Sequence, residues 1–440
     1  MAHALSITDG TDTFSLSTTT AYMLNYAMAA PQLQQPSVTE TVDVMIYGAS
    51  TSAMQTNVSS LERLLESARR RRMEGYGPRV YLNVQLDSDG SAWRSEIFDA
   101  RLDLVENSLA VWGNAKMQAS LYIERAPYWE GALTQLSLTN GNGTDNTSGL
   151  TIYNHNDSGT GHDNWVAIDA AEVTGNLPAP VKLELTNSIG SARAIYQVFA
   201  ATNAFNTPGS LEHLLEGEST VTGGGSTTGS DAACSNGSYA SQSVSNDGTM
   251  DFTLSSTVMG YCAGYPFHVL VRFFAAPSTL VKASIVSGTS NILMTGEQVN
   301  FLSGSSQDLV NFGVLYIPPG GYQTSYGAHK LRLTFRHSGA QTVQVDYFAL
   351  FPAYAFRDLL THGSSLANGD KITDDPIEGQ AYTTSSSVNL PEVIQRGSPV
   401  MLWPNKAQRI YILWSLFDHT STISDTMTVK AWYRPRRATV

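Results

Sequence analysis

The sequence predicts a mainly β protein built as several β-sandwich domains, with one long helix near its start. Three observations predict this. Apolar and polar residues alternate in short runs bounded by Gly, Pro, Asn and Asp, which is the period of a half-buried strand. A long apolar stripe at helical spacing occurs only once. Charged residues make up only 15% of the chain, against ~25% in an ordinary soluble domain. The polar surface must therefore come from Ser, Thr, Asn, Gln and Gly, which suit strands and turns.

At 440 residues the chain is long enough for about two to four domains. In the first stretch, 1–132, "VTETVDVMIYG" places Val42, Val44 and Ile46 on one face of a strand. Met54, Val58, Leu61, Leu65 and Ala68 then line one side of a helix predicted from near Ser52 to just before Gly75, with "GYGP" as its stop. "PRVYLNVQLD", "RSEIFDARLDLVE" and "AKMQASLYIERAPYWEG" follow as strands. One helix cannot cover a sheet of this size, so the strands must also pack on each other. The expected unit is a β-sandwich with a single flanking helix.

From Leu133 onward the periodicity is that of strands, as in "APVKLELTN" and "ARAIYQVFAATN". A short amphipathic turn at "SLEHLLEGE" leads into "TGGGSTTGSD", which has the composition of a flexible linker and marks a boundary. Beyond it, "TMDFTLSS", "FHVLVRFFAA", "NFGVLYIPP", "HKLRLTFRHSG" and "TVQVDYFALFP" are short strands separated by turns, the pattern of a sandwich or jelly roll. After a polar stretch from Gly363 to Asp375, strands return in "SPVMLW", "QRIYILWSLF" and "MTVKAWYRPR".

The formal net charge of −12 argues against a nucleic-acid partner. The exception is "RRRR", Arg69 to Arg72, which reads either as a complement to the helix dipole or as a site for an acidic partner. The N-terminal residues lack an apolar run of signal-peptide length, and no stretch reaches the ~18 apolar residues of a membrane span. Cys234 and Cys262 allow one bridge or two free thiols.

No GxSxG, HExxH or P-loop signature is present, so a non-enzymatic role without a cofactor is expected. The densest polar cluster is "YNHNDSGTGHDNW", where His155, Asp157, His162 and Asp163 could curl around a cation. "NDSGTG" is also turn chemistry that satisfies its own backbone, and a structural loop is the preferred reading. A second candidate is a face of loop aromatics, Tyr261, Tyr265, Tyr322 and Tyr326, with Phe267 and Tyr316 close in sequence. Such rings can stack on sugars.

The order "TETVDVMIYG", "SSLERLLESARR", "RVYLNVQLD", "WRSEIFDARLDLVE" and "ASLYIERAPYWEG" resembles the distal tail proteins of long-tailed bacteriophages. "GSPVMLWPNKAQRIYIL" is similar to a Leu-Pro-turn-strand feature of such tail proteins, with Asn405 where Gly is usual. "HKLRLTFRHSGAQTVQVDYFALFP" resembles the closing hairpin of jelly-roll carbohydrate-binding modules. Together these segments cover about half the chain. The resemblance implies a ring-forming, tail-tube-like domain at 1–132, a galectin-like sandwich from 133–218 plus 375–440, and a carbohydrate-binding-like module inserted at 219–374. It further implies a homo-oligomer, usually a hexamer, at the virion tail tip. Tail-tube and tail-hub proteins would be its partners and host glycan a further ligand, for which Tyr261, Tyr265, Tyr322 and Tyr326 are the candidate contacts read from the loops, although core or loop packing is the preferred reading of any one ring. The alternatives are another virion structural protein (tail tube, baseplate or capsid decoration) and a polysaccharide-degrading enzyme with binding modules.

Overall fold

The computed structural model describes residues 4–18, 20–29, 35–86, 90–105, 113–145, 147–155, 161–202, 214–222, 226–245, 248–255, 258–259, 262–275, 280–288, 291–300, 308–317, 329–336, 339–361, 365–385, 388–390, 393–416 and 425–440. The protein is mainly β, with its strands in five antiparallel sheets, and it divides into two compact units.

Unit 1 comprises Met1–Thr134, Thr174–Ala179 and Arg434–Val440. Its strands are β1 (Ala4–Thr8), β2 (Thr13–Ser15), β3 (Ala21–Tyr26), β4 (Val38–Tyr47), β5 (Val80–Gln85), β6 (Ala92–Leu104), β7 (Lys116–Arg125) and β8 (Trp129–Glu130), with helix α1 (Thr51–Glu74) between β4 and β5. The sheet runs β2-β1-β5-β6-β7-β4-β3. Its two ends meet, because Leu16 N–H donates to Leu5 O at 2.8 Å, Met23 N–H donates to Leu16 O at 2.8 Å, and Ser17 bridges Tyr22. The sheet thus closes on itself around one interior. Val42, Val44 and Ile46 pair with Leu121, Ala119 and Met117 across β4 and β7, and all six are buried.

The helix completes this core. Met54, Val58, Leu61, Leu64, Leu65 and Ala68 are buried in the same apolar cluster as the strand residues. Ser50 caps the N-terminus by accepting from Ala53 N–H at 3.2 Å. Gly75 ends the helix in the left-handed region, at φ 76°, and donates its N–H to Arg71 O. The four arginines are paired within the unit. Arg69 and Arg70 reach Glu66, Arg71 lies 3.8 Å from Glu96, and Arg72 meets Glu124 and Asp99. They complement the helix end and tie it to β6 and β7.

Unit 1 also holds a buried charge network. Glu40 forms a two-pronged pair with Arg125, Nε at 2.8 Å and Nη2 closer, both side chains being almost wholly buried. Glu40 also accepts Tyr26 Oη and Ala29 N–H, each at 2.7 Å. Burial, then the Glu40 charge, pushes the Tyr26 phenol far above its usual range. Arg125 stacks over Trp129 at 4.2 Å. Residues near the C-terminus add a last strand, Arg436–Arg437 pairing with β8, a placement that differs from the expected grouping of 375–440 with the second sandwich. Arg436 donates to Glu130 at 2.8 and 3.1 Å and covers the Tyr128 ring, while Arg437 covers Trp93.

Unit 2 comprises Gln135–Val173 and Pro180–Tyr433. One sheet is ordered Gly143–Asp145, Leu138–Asn140, Trp165–Ile168, Gln408–Leu416, Arg193–Thr202, Phe356–Leu360 and Ile394–Gly397. A second is ordered Leu150–Tyr153, Thr426–Tyr433, Ala179–Asn187, Lys371–Asp375, Gln380–Ser385 and Val388–Leu390. Arg357 joins the two sheets by donating to Asp374 through Nε at 2.8 Å and Nη2 at 2.7 Å, and Gln395 completes the contact. The Trp403–Gln408 turn places Asn405 in the left-handed region at φ 56°, where Asn substitutes for the Gly usual in similar turns.

Between 214 and 352 a second sandwich is inserted. One sheet is ordered Ser226–Ser230, Ser238–Ser245, Ala340–Pro352, Pro266–Ala275 and Asp308–Tyr316, with Leu214–Glu216 beside Ala340–Pro352. The other is ordered Val221–Thr222, Thr249–Thr253, His329–Arg336, Leu280–Ser287 and Asn291–Asn300. Phe267, Val271, Phe273, Phe312 and Phe348 of the first sheet share one core with Phe252, Ile285, Leu333 and Phe335 of the second. Two details differ from the sequence expectation. Ser226–Ser230, in the stretch with linker composition, is a strand registered from Ser226↔Gln242 to Ser230↔Ser238. Residues 356–360 and 371–374, expected inside the insertion, pair with strands of the outer sandwich.

Cys234 and Cys262 are both free and buried. Burial pushes the Cys262 thiol up to about 12 and raises Cys234 further. Both should resist a thiol reagent until denaturant is added, and stoichiometric labelling of the native protein would contradict their burial. Leu61→Asp should unfold unit 1, because an unpaired charge in its core costs several kcal/mol. Circular dichroism and limited proteolysis of the variant check this.

Candidate functional site

The polar stretch from Tyr153 to Trp165 joins the strand Leu150–Tyr153 to the strand Trp165–Ile168. Its two described ends lie together, since Tyr153 N–H donates to Asp163 O at 2.9 Å. Asn154 is wholly buried and meets the backbone of Trp414 twice, donating through Nδ2 to O at 2.7 Å and accepting the N–H at 2.9 Å. The carbonyl of Asn154 accepts Tyr347 Oη at 2.9 Å. Tyr347 belongs to the inserted sandwich, so this loop is where that sandwich is fastened to the outer one.

An apolar contact surrounds that hydrogen bond. Leu270, Leu309, Tyr347, Ala349 and Phe351 of the inserted sandwich pack against Phe199, Ala201, Phe356, Tyr411 and Leu413 of the outer one. Phe356 also stacks on His268, with centroids 3.9 Å apart. Desolvation at this contact holds the His268 imidazole below its usual pKa, with Asn311 acting in the other direction. Immediately behind Tyr347, Asp346 pairs with Arg272 in a fully buried contact and accepts Ser235 N–H at 2.9 Å.

Of the four candidate cation ligands, the structure brings two together. His162 Nδ1 lies 3.2 Å from His155 Nε2, with the rings crossed at 77°. His162 stacks on Tyr153 at 4.0 Å, and His155 meets the same tyrosine edge-on at 6.1 Å. Asp163 instead accepts Gly141 N–H at 2.6 Å. Burial raises its carboxyl, while Gly141, Arg409 and His162 act against that rise. Asp157 lies outside the described residues. Among the described residues, no three His, Cys, Asp or Glu side chains form a metal cage.

Of the four proposed glycan contacts, Tyr261, Tyr322 and Tyr326 lie outside the described residues. Tyr265 is 51% exposed, and a second exposed ring, Tyr354, stands 6.5 Å from it at 56°. Burial of its hydroxyl and the neighbouring Tyr265 raise the Tyr354 phenol. Phe267, grouped with these rings in the sequence, is fully buried in the sandwich core and is no surface residue. Tyr354 went unnoticed because "FPAYAF" reads as the end of a strand. The short turn Ala353–Ala355, which follows Pro352, turns it outward.

No protein-family model and no curated protein matches the sequence. Among solved structures, the chain is similar to the phage P2 baseplate in its activated conformation with Ca, at 9% identity over 80% of this chain and 99% of that chain, with a TM-score of 0.23. It is also similar to a glycoside hydrolase family 43 arabinoxylan arabinofuranohydrolase from Bacillus subtilis in complex with cellotetraose, at 11% identity over 71% of this chain and 52% of that chain, with a TM-score of 0.20. A third is the CBM2 module of Lactobacillus casei BL23 phage J-1 evolved Dit, at 11% identity over 55% of this chain and 96% of that chain, with a TM-score of 0.12. At such scores these likenesses assign the chain to no family and carry no argument about its role.

The fastening of the two sandwiches is testable. Asn154→Ala leaves the Trp414 N–H unpartnered in a buried position and should lower the stability of unit 2 by about 1–3 kcal/mol. Tyr347→Phe removes one hydroxyl while keeping the apolar contact and should cost less. Chemical denaturation of the two variants compares them.

Proposed function

We propose that the protein is a structural component of a bacteriophage tail tip, in which unit 1 builds a homo-oligomeric ring and unit 2 is carried on it. The reading is supported chiefly by the order of strand, helix and strands in unit 1, the order on which the sequence resembles distal tail proteins. In three dimensions this order makes a closed sheet with a helix completing its core, and β3 leaves Tyr22 and Leu24 exposed, at 57% and 46%. Apolar residues on a surface strand suit burial against a neighbouring copy. A hexamer that contacts tail-tube and tail-hub proteins is the assembly proposed. No described helix is long and apolar enough to cross a membrane.

Unit 2 is proposed to make weak contact with host glycan through Tyr265 and Tyr354. Two tilted rings at this separation offer apolar faces to one or two sugar residues. A single shallow site of this kind binds at around millimolar, or ~−4 kcal/mol. Several copies held on one ring raise the effective concentration, and retention by ~10² or more, provided their spacing lets them engage together.

Sedimentation and electron microscopy of the full chain, alone and with tail-tube protein, test the ring. A monomer under all of these conditions contradicts it. Tyr265→Ala and Tyr354→Ala should weaken retention of the assembled protein on host envelope material without changing its melting temperature. Equal retention of both variants makes unit 2 a structural spacer.

A further inference from the structure

We propose that the facing imidazoles of His155 and His162 are a binding site for a divalent transition-metal ion of the zinc, nickel or copper type. The argument starts from the distance. A tetrahedral ion with metal–nitrogen bonds of ~2.0–2.1 Å holds two ligand nitrogens about 3.3 Å apart. His162 Nδ1 and His155 Nε2 stand 3.2 Å apart. The rings cross at 77° with their centroids 5.0 Å apart, a spacing that leaves room for an ion between the two nitrogens. Imidazole is the ligand these ions favour.

The site is also held in advance. His155 is 1% exposed, and His162 lies flat on Tyr153 at 4.0 Å. Their backbones are held together by the Tyr153–Asp163 hydrogen bond and by Asn154, which is locked to Trp414 on both sides. Asp163 does not ligate, because its carboxylate accepts Gly141 N–H. Two imidazoles leave the remaining positions to water, so the site is of modest affinity. The other use of this geometry is one N–H···N hydrogen bond between the rings, and a bound metal ion takes the place of that shared proton.

The position gives such an ion a consequence. It would bridge residues 155 and 162 across the loop and stiffen Asn154, whose carbonyl receives Tyr347 of the inserted sandwich. The site therefore acts at the fastening of that sandwich, independently of any role in a tail.

The experiment uses the full chain, stripped with chelator and titrated calorimetrically with zinc chloride at neutral pH, with magnesium chloride as the oxygen-preferring control. One zinc per chain is expected, with no magnesium response and a higher melting temperature in zinc. His162→Gln and His155→Gln should each weaken zinc binding about tenfold or more and abolish the thermal shift. The chain has 9 histidines, so equal zinc binding by wild type and variants locates the ion elsewhere and overturns the proposal. Absence of zinc binding to the wild type overturns it as well. Should the buried His155 variant fail to fold, the partly exposed His162 variant decides the matter.

Discussion

Each of the three β bodies holds an arginine–carboxylate pair that is almost wholly buried on both sides. Arg125 meets Glu40 in unit 1, Arg357 meets Asp374 between the sheets of the outer sandwich, and Arg272 meets Asp346 in the inserted one. In a chain with so few charges these are conspicuous places to spend them. A buried pair gains little net stability, because desolvating two ions offsets much of their attraction. Removing one partner is another matter, at about 3–5 kcal/mol, since it leaves the other charge buried alone. The pairs therefore act as register marks. The forked geometry of Arg357 on Asp374 is met only when the two sheets stand in one alignment, whereas an apolar interface tolerates sliding.

The inserted sandwich is joined to its host by more than the two chain crossings. Its outer sheet face presents Tyr347, Ala349 and Phe351 to the outer sandwich, while the alternate residues Phe348 and Leu350 point into its own core. One strand thus serves two cores by the plain alternation of side chains. Asp346 and its arginine lie directly before Tyr347, so the charge pair that orders the inserted body also anchors the strand that docks it.

Much of this was legible from local pattern and some of it was not. The helix was readable to within about two residues because its stripe and the glycine-rich stop at Gly75 are local signals. The strands of unit 1 were readable by alternation, as with Val42, Val44 and Ile46. Closure of the sheet was not, because it rests on backbone hydrogen bonds among residues 5, 16 and 23, whose side chains carry no trace of it. The insertion's far boundary was misplaced because Phe356–Leu360, FRDLL, is buried on both faces and mixes Arg357 and Asp358 with its apolar residues, so no alternation assigns it to one sandwich. At the polar loop, composition marked the segment, but the buried contacts of Asn154 with the Trp414 backbone are long-range and leave no local signal. The convergence of His155 with His162 is a property of the folded loop. Tyr354 escaped because a ring's exposure depends on the turn beneath it.

The strand Arg436–Arg437 has a consequence for how the chain comes to be folded. It fills a place in unit 1 beside Trp129–Glu130, yet the ribosome delivers it only after all of unit 2 has been made. Domains generally fold as they emerge. The first sheet must therefore wait, with Glu130 unpaired by Arg436 and the rings of Trp93 and Tyr128 uncovered by their arginines, while two further sandwiches take shape. Without Arg436 and Arg437, the strand Trp129–Glu130 retains a sheet edge that invites pairing with a neighbour.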